Sequence, residues 1–136
     1  GSLFVIFLNG YLQELDGTIR EDIVGVSING TTVIAIFKDV IRKHEAQLSV
    51  AKFMEQTTLI HEFGHAIGLV SNGVPVVSDH HDAQHGAHCS NDTCVMYYAN
   101  EGQTDLIDFV RKILTTGNTL LWGQYCLEDI KAQLSL

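Results

Sequence analysis

The sequence predicts an α+β fold, with strand-forming segments crowded into the first 37 residues and helix-forming segments from about residue 49 onward. Three observations carry that prediction. Leu3 to Leu8 is an unbroken apolar, β-rich run; Val24 to Ile28 and Thr32 to Phe37 flank Asn29-Gly30; and Ser49 to Ile67 repeats apolar residues at helical spacing. With 136 residues, 46% of them hydrophobic, the chain suits a single domain, 1–136, built around one core.

Taken in order, Leu3 to Leu8 is closed by Asn9-Gly10 and reads as a core strand, while the polar stretch Tyr11 to Asp22 reads as irregular. Asn29-Gly30 suits a tight type I′ turn between arms rich in β-branched residues, so an antiparallel pair is expected there. In the helix, Phe53, Ile60 and Ile67 recur every seven residues, Leu59, Phe63 and Ala66 widen the apolar face, and Gly68 is a natural C′ residue. Packed on a sheet by that face, the helix would carry Thr58, His61 and His65 along another edge, towards a cleft. Val70 to Thr93 has no periodicity, and a loop of that length in a compact domain points to a function or a tether. Thr104 to Leu114 reads as an amphipathic helix, Gly117 to Trp122 as a connector, and Leu127 to Leu134 as a closing helix.

Charge and composition narrow the function classes. The net charge is −8 with only eight Lys and Arg and no basic stripe, which argues against nucleic acid or anionic lipid as a partner. Leu3 to Leu8 is too short to span a bilayer and no charged segment precedes it as in a signal peptide, so no membrane contact is evident. Gly1-Ser2 looks like a cloning scar, the chain is expected to be a piece of a longer protein, and localisation stays open. Cys89, Cys94 and Cys126 cannot all pair within one chain, and five of the seven histidines fall from His65 to His88. Metal binding explains that distribution better than a Cys89–Cys94 disulfide with a leftover thiol.

The chemistry centres on His61-Glu62-Phe63-Gly64-His65 at the end of the long helix. Two histidines four residues apart on a helix are separated by about 40° of rotation and roughly 6 Å of rise, so both imidazoles can reach one ion. Glu62 between them is the candidate base. A catalytic zinc needs three protein ligands and an open position for water, so a third ligand must come from elsewhere.

The run His61-Glu62-x-x-His65-x-x-Gly68 matches the start of the metzincin signature, whose usual third histidine would fall at position 71, where this chain has Ser71. Further on comes His88-Cys89-x4-Cys94-x-Met96. This resembles the archaemetzincins, a metzincin family in which a histidine is directly followed by Cys-x4-Cys-x-Met, with an insertion here of about Val70 to Ala87. The resemblance implies His88 as third catalytic ligand, Met96 in the Met-turn beneath the zinc, and Cys89 and Cys94 opening a second, structural zinc site. The family completes that site with a Cys-x-x-Cys pair, whereas this chain has only Cys126, in Gly123-Gln124-Tyr125-Cys126. His85, or alternatively His80, is the candidate fourth ligand of a Cys₃His site. The converse assignment, with His80 or His85 on the catalytic zinc and His88 among the cysteines, also fits the spacing. His88 is preferred because neighbouring side chains on an extended segment point opposite ways and so serve two sites.

The same resemblance implies zincin architecture: a twisted mixed sheet with an active-site helix in an upper part, 1–68, and a small C-terminal subdomain, 69–136, holding the His-rich loop and the Met-turn. It also implies a zinc metallopeptidase acting on peptide or protein substrates, endopeptidase or aminopeptidase unresolved. Tyr97 and Tyr98 are candidates for assisting an oxyanion, Asp79 and Asp82 for orienting imidazoles, and Thr32 to Phe37 for the edge strand that pairs with substrate. His81 and His44 read as surface residues. Two rival readings are a zinc-binding module without catalysis and an interaction domain with a metal-sampling loop.

Overall fold

The computed structural model describes residues 1–117 and 121–135. Five strands, β1 (Phe4–Leu8), β2 (Leu12–Gln13), β3 (Ile19–Arg20), β4 (Gly25–Ser27) and β5 (Val33–Phe37), precede all four helices. These are α1 (Lys38–Arg42), α2 (Leu48–Ala66), α3 (Gln103–Thr116) and α4 (Gln124–Leu134). The fold is α+β, as expected, with a mixed three-stranded sheet in the order β1-β5-β4 and a small β2-β3 hairpin. The expected connector Gly117 to Trp122 falls partly on residues 118–120, outside the described residues.

The hairpin around Asn29-Gly30 forms β4 and β5 in antiparallel register, Gly25 opposite Ile36 and Ser27 opposite Ile34. Its turn is not type I′. Thr31 N donates to the Ile28 carbonyl and only Gly30 has positive φ, so the connection is longer and needs one left-handed residue instead of two. Tyr11 to Asp22, expected to be irregular, holds the β2-β3 hairpin, closed by Gly17 and tied by Arg20 to Glu14 and Asp22. β1 pairs parallel with β5, Phe4 against Val33 through Leu8 against Phe37, and is an edge strand, not the core strand that its composition suggests. All five of its residues are exposed because α2 lies across β4 and β5 and leaves β1 uncovered.

β5 is therefore the central strand. Its backbone is paired on both sides and Ile34, Ala35, Ile36 and Phe37 are buried, which removes it as an edge for substrate. The free edge beside the cleft belongs to β4. The core above it joins Val24, Ile34 and Ile36 of the sheet to Val40 of α1, Met54 of α2, and Leu106 and Val110 of α3.

The long helix has the expected extent, but a different face is inward. Val50, Met54, Thr57, Thr58, His61, Glu62 and Gly64 are buried, while Phe63 and Ile67 are exposed and Phe53 and Ile60 lie at the flank. Polar residues needed at the site occupy positions that a purely structural helix would fill with leucine, so apolar periodicity picks out the wrong stripe. α2 ends in a Schellman motif: Leu69 N donates to Gly64 O, Gly68 N donates to His65 O, and Gly68 takes φ +89°. A side chain at Gly68 would be strained in that backbone and would also press on the Asn72 carbonyl at 3.0 Å. Gly68→Ala is accordingly expected to destabilise the fold by about 1–2 kcal/mol, read from urea denaturation.

Candidate metal centres

α2 presents His61 and His65 with their Nε2 atoms 3.1 Å apart. His61 is fixed by its other nitrogen, since Nδ1–H donates to the Val95 carbonyl at 2.7 Å and leaves the Nε2 lone pair inward. Val95 O in turn accepts from the buried Asn100 amide at 3.0 Å, so the residue before Met96 is held from two directions. Met96 itself packs beneath the helix at Gly64, where a Cβ would stand 2.3 Å from its Sδ. Only glycine at that position of the motif allows so close an approach.

His88 arrives from the loop. Cys89 N donates to the Met96 carbonyl, and Cys89 is bridged to His81 on one side and Tyr97 on the other. The segment is extended, so His88 and Cys89 face opposite ways, the arrangement their adjacency suggests. His88 Nδ1–H donates to the His85 carbonyl, which again leaves Nε2 free as an acceptor.

A fourth group, which no motif singles out, completes this cluster. Glu101 Oε1 lies 3.1 Å from His88 Nε2, 3.9 Å from His65 Nε2 and 4.0 Å from His61 Nε2. A single 3-10 turn, Tyr98–Glu101, brings it back over the histidines. Four donors, one from each residue, lie within 4.8 Å of one another. Zinc ligand distances near 2.0–2.1 Å make the edge of a coordination tetrahedron about 3.3 Å, and the spacings here bracket that value. His88 Nε2 is buried and makes no hydrogen bond even with the carboxylate beside it. The two groups form a 3.1 Å ion pair when His88 is protonated, and with His88 neutral a metal ion at the point where they converge would satisfy its otherwise costly lone pair.

The electrostatics of the cluster are mixed: burial opposes protonation of His88, but the Glu101 carboxylate and the His85 carbonyl raise its pKa, whereas His65 shifts the other way. Burial, with His61 and His88 beside it, pushes His65 down to about 3, so it resists protonation. Burial opposes ionisation of Glu101, but the imidazoles of His61 and His88 hold its carboxyl well below the usual range. Glu62 is nearly inaccessible, and desolvation raises its pKa against the opposing pull of His61 and the Ser27 amide. A cleft of about 360 Å³ reaches Glu62, His65 and Glu101 from the β4 edge, with Ser27, Arg20 and Asn72 among its walls.

The second cluster lies behind Cys89. His80 Nδ1 is 3.3 Å from Cys89 Sγ and 4.0 Å from Cys126 Sγ, and these three donors form a second group with metal-binding spacing. Cys94 Sγ adjoins them at 3.7 Å from Cys126 Sγ and accepts from the backbone N–H groups of Gly123 at 3.0 Å and Met96 at 3.4 Å. Hydrogen bonds from Cys126 and Cys89 and these backbone donors lower the Cys94 pKa and favour a thiolate. All three cysteines are free and buried. His80, not His85, is the histidine in this group. Its Nε2 bonds Asp129 at 2.8 Å, and Asp129 also accepts from Val77 N at 2.8 Å.

The remaining candidates sit elsewhere. His85 stacks face to face on Tyr98 at 3.7 Å and pairs with Asp82, so neither it nor Asp82 adjoins the cysteines. Tyr97 faces Tyr98 at 4.8 Å, while Asp79 is exposed. His81 is half-buried against the Gly86 carbonyl, and His44 bonds Gln103, so neither is a simple surface residue. Ser71, where the usual third histidine would fall, is exposed with φ +61°. Sequence reasoning missed Glu101 and Asp129. Only the second left a trace, because Cys126 and Asp129 are three residues apart on α4 and are its two buried positions.

No known family, curated protein or solved structure matches the chain. The two clusters therefore stand on their own geometry. If the Asp129 carboxylate orients His80 for a metal, Asp129→Ala should weaken zinc binding at the cysteine cluster by about 10–100-fold in a chelator competition.

Proposed function

We propose that the chain is a small zinc-dependent metallopeptidase of the archaemetzincin-like kind its motifs resemble, acting on peptide or protein substrates. The observation that carries this reading is the convergence of His61, His65 and His88 on one point, with His88 Nε2 lacking a hydrogen bond and Glu62 in the same cleft. Zinc bound there supplies Lewis acidity, polarising a scissile carbonyl and making water easier to deprotonate near neutrality. Glu62 takes the proton from the attacking water and passes it to the leaving amine; its desolvation makes it a stronger acceptor than an exposed carboxylate. The imidazoles of His61 and His88 hold their Nε2 lone pairs inward through fixed outer hydrogen bonds. An extended substrate pairs with the free edge of β4, at Gly25–Ser27, which borders the cleft.

In the same proposal Cys89, Cys94, Cys126 and His80 hold a second zinc with a structural role, locking the loop to α4. Tetrahedral zinc with thiolate and imidazole ligands has edges of about 3.5–3.8 Å. His80–Cys89 at 3.3 Å, Cys94–Cys126 at 3.7 Å and Cys126–His80 at 4.0 Å lie close to that range. Cys94 stands outside the group of three whose donors are mutually within 4.8 Å and would have to close in on the ion, and the backbone donors to Cys94 stabilise a thiolate in the way a metal site requires. Met96 belongs to the turn under the first centre, and His85 and Tyr98 form its outer wall beside His88.

One observation favours a second reading. Glu101 makes the first centre a four-ligand set, and a closed set is the mark of a structural site. Glu62→Gln separates the readings. The substitution should reduce hydrolysis of a peptide that the wild type cleaves by at least about 100-fold, with zinc content unchanged; retained hydrolysis would contradict the mechanism. Elemental analysis of the intact chain should find close to two zinc ions, falling to one in Cys126→Ser; a single ion in the wild type would remove the structural site.

A further inference from the structure

The peptidase mechanism gives Glu101 nothing to do, although its carboxylate stands at the fourth corner of the three-histidine cluster. We propose that Glu101 is a displaceable fourth metal ligand that closes the cleft side of the centre in the resting protein and swings away when a substrate carbonyl enters. The proposal rests on the metal reading above and gives the closed coordination set a role within it.

The four donors are unequal in a way that assigns one of them to leave. The side chains of His61, His65 and His88 are 1, 13 and 7% exposed, whereas that of Glu101 is 47% exposed. His61 and His88 are locked by hydrogen bonds to the Val95 and His85 carbonyls, and moving either would break a buried bond. Among the described residues the Glu101 carboxylate pairs only with the three histidines of the cluster, and it borders the cleft that reaches the centre from β4. Its departure opens that face and no other.

The backbone beneath Glu101 is fixed on both sides. Asn100 is buried and donates to the Cys94 and Val95 carbonyls, and Gly102 is bridged to Ile23. Displacement therefore needs only rotation about side-chain bonds, and a carboxylate that turns outward regains water. A rigid main chain also returns the group to the same position afterwards. Position rather than chemistry distinguishes Glu101 from Glu62, which is 3% exposed and held in the cleft wall. One carboxylate is placed to move aside and the other to stay.

The test compares wild type, Glu101→Gln and Glu101→Ala in two measurements that do not involve peptide. The first is zinc affinity at the three-histidine centre, taken as the site lost in His61→Ala, by chelator competition. The second is binding of acetohydroxamate, a small zinc-chelating anion, to the zinc-loaded proteins by calorimetry. Both variants should bind zinc about tenfold more weakly or worse, and acetohydroxamate about tenfold more tightly or better, because no protein carboxylate has to be displaced. Unchanged zinc affinity in both variants would overturn the proposal, and so would weaker zinc binding with no gain in acetohydroxamate affinity, which describes a fixed ligand. Glu101→Gln preserves side-chain shape, so a folding defect confined to Glu101→Ala does not obscure the result. Wild-type zinc protein that meets both expectations yet cleaves no peptide counts against the peptidase reading alone.

Discussion

Both candidate centres depend on the two-sided pairing of Cys89. Its backbone lies between His81 and Tyr97, and this short ladder fixes an extended conformation in a loop otherwise without regular structure. Because alternate side chains of an extended segment point to opposite faces, His88 is delivered to the α2 histidines and Cys89 to His80 and Cys126. A shift of one residue in that pairing would exchange the two side chains and dismantle both clusters together. The register of His88 is set by residues 80–82 and 96–97 and is independent of how many residues pass between Gly68 and Ser78.

The helix that carries the motif buries its working residues, and this has a physical cost that the surroundings offset. Thr57, Thr58, His61 and Glu62 occupy inward positions where apolar side chains would contribute more to packing, and both threonine hydroxyls lack partners. The chain then leaves the helix through Gly68, Val70 and Ser71, all with positive φ. For a β-branched residue that backbone is strained. Val70 is completely buried beside Cys89, Cys94 and Met96, so hydrophobic contact with the second cluster holds the reversal that carries the chain away from the first.

Spacing made much of the candidate site legible. His61 and His65 follow from helix geometry, whereas His88, Cys89, Cys94, Met96 and Cys126 follow from the motif resemblance, with the alternation of an extended pair favouring His88 over His80 and His85. What spacing cannot express is a meeting in space. Glu101 reaches the histidines through a 3-10 turn whose direction is set by Asn100, and Asp129 meets His80 from 49 residues away. The choice of His80 over His85 depends on the same ladder, which sets His80 beside Ser90 and leaves His85 outside against Tyr98. In the fold, the positions of β1, β4, β5, α2, α3 and α4 were legible from local pattern, whereas the two-residue strands β2 and β3 and the short α1 were not. The placement of β1 and β5 was not, because parallel pairing across some thirty residues decides which strand is central, and both are equally apolar.

The misplaced strand carries a consequence for how the chain behaves among its own copies. β1 offers Phe4, Val5, Ile6, Phe7 and Leu8 to solvent on an edge with unpaired backbone groups, and within it there is no charged residue, proline or bulge to discourage a second strand from joining. What keeps such edges apart in solution is long-range repulsion between molecules of net charge −8. That repulsion vanishes near the isoelectric point of about 5.1 and is screened by salt, so mild acidity or high ionic strength removes the barrier to a second strand joining this edge. The edge most open to other copies thus lies on the opposite side of the sheet from the candidate metal centres.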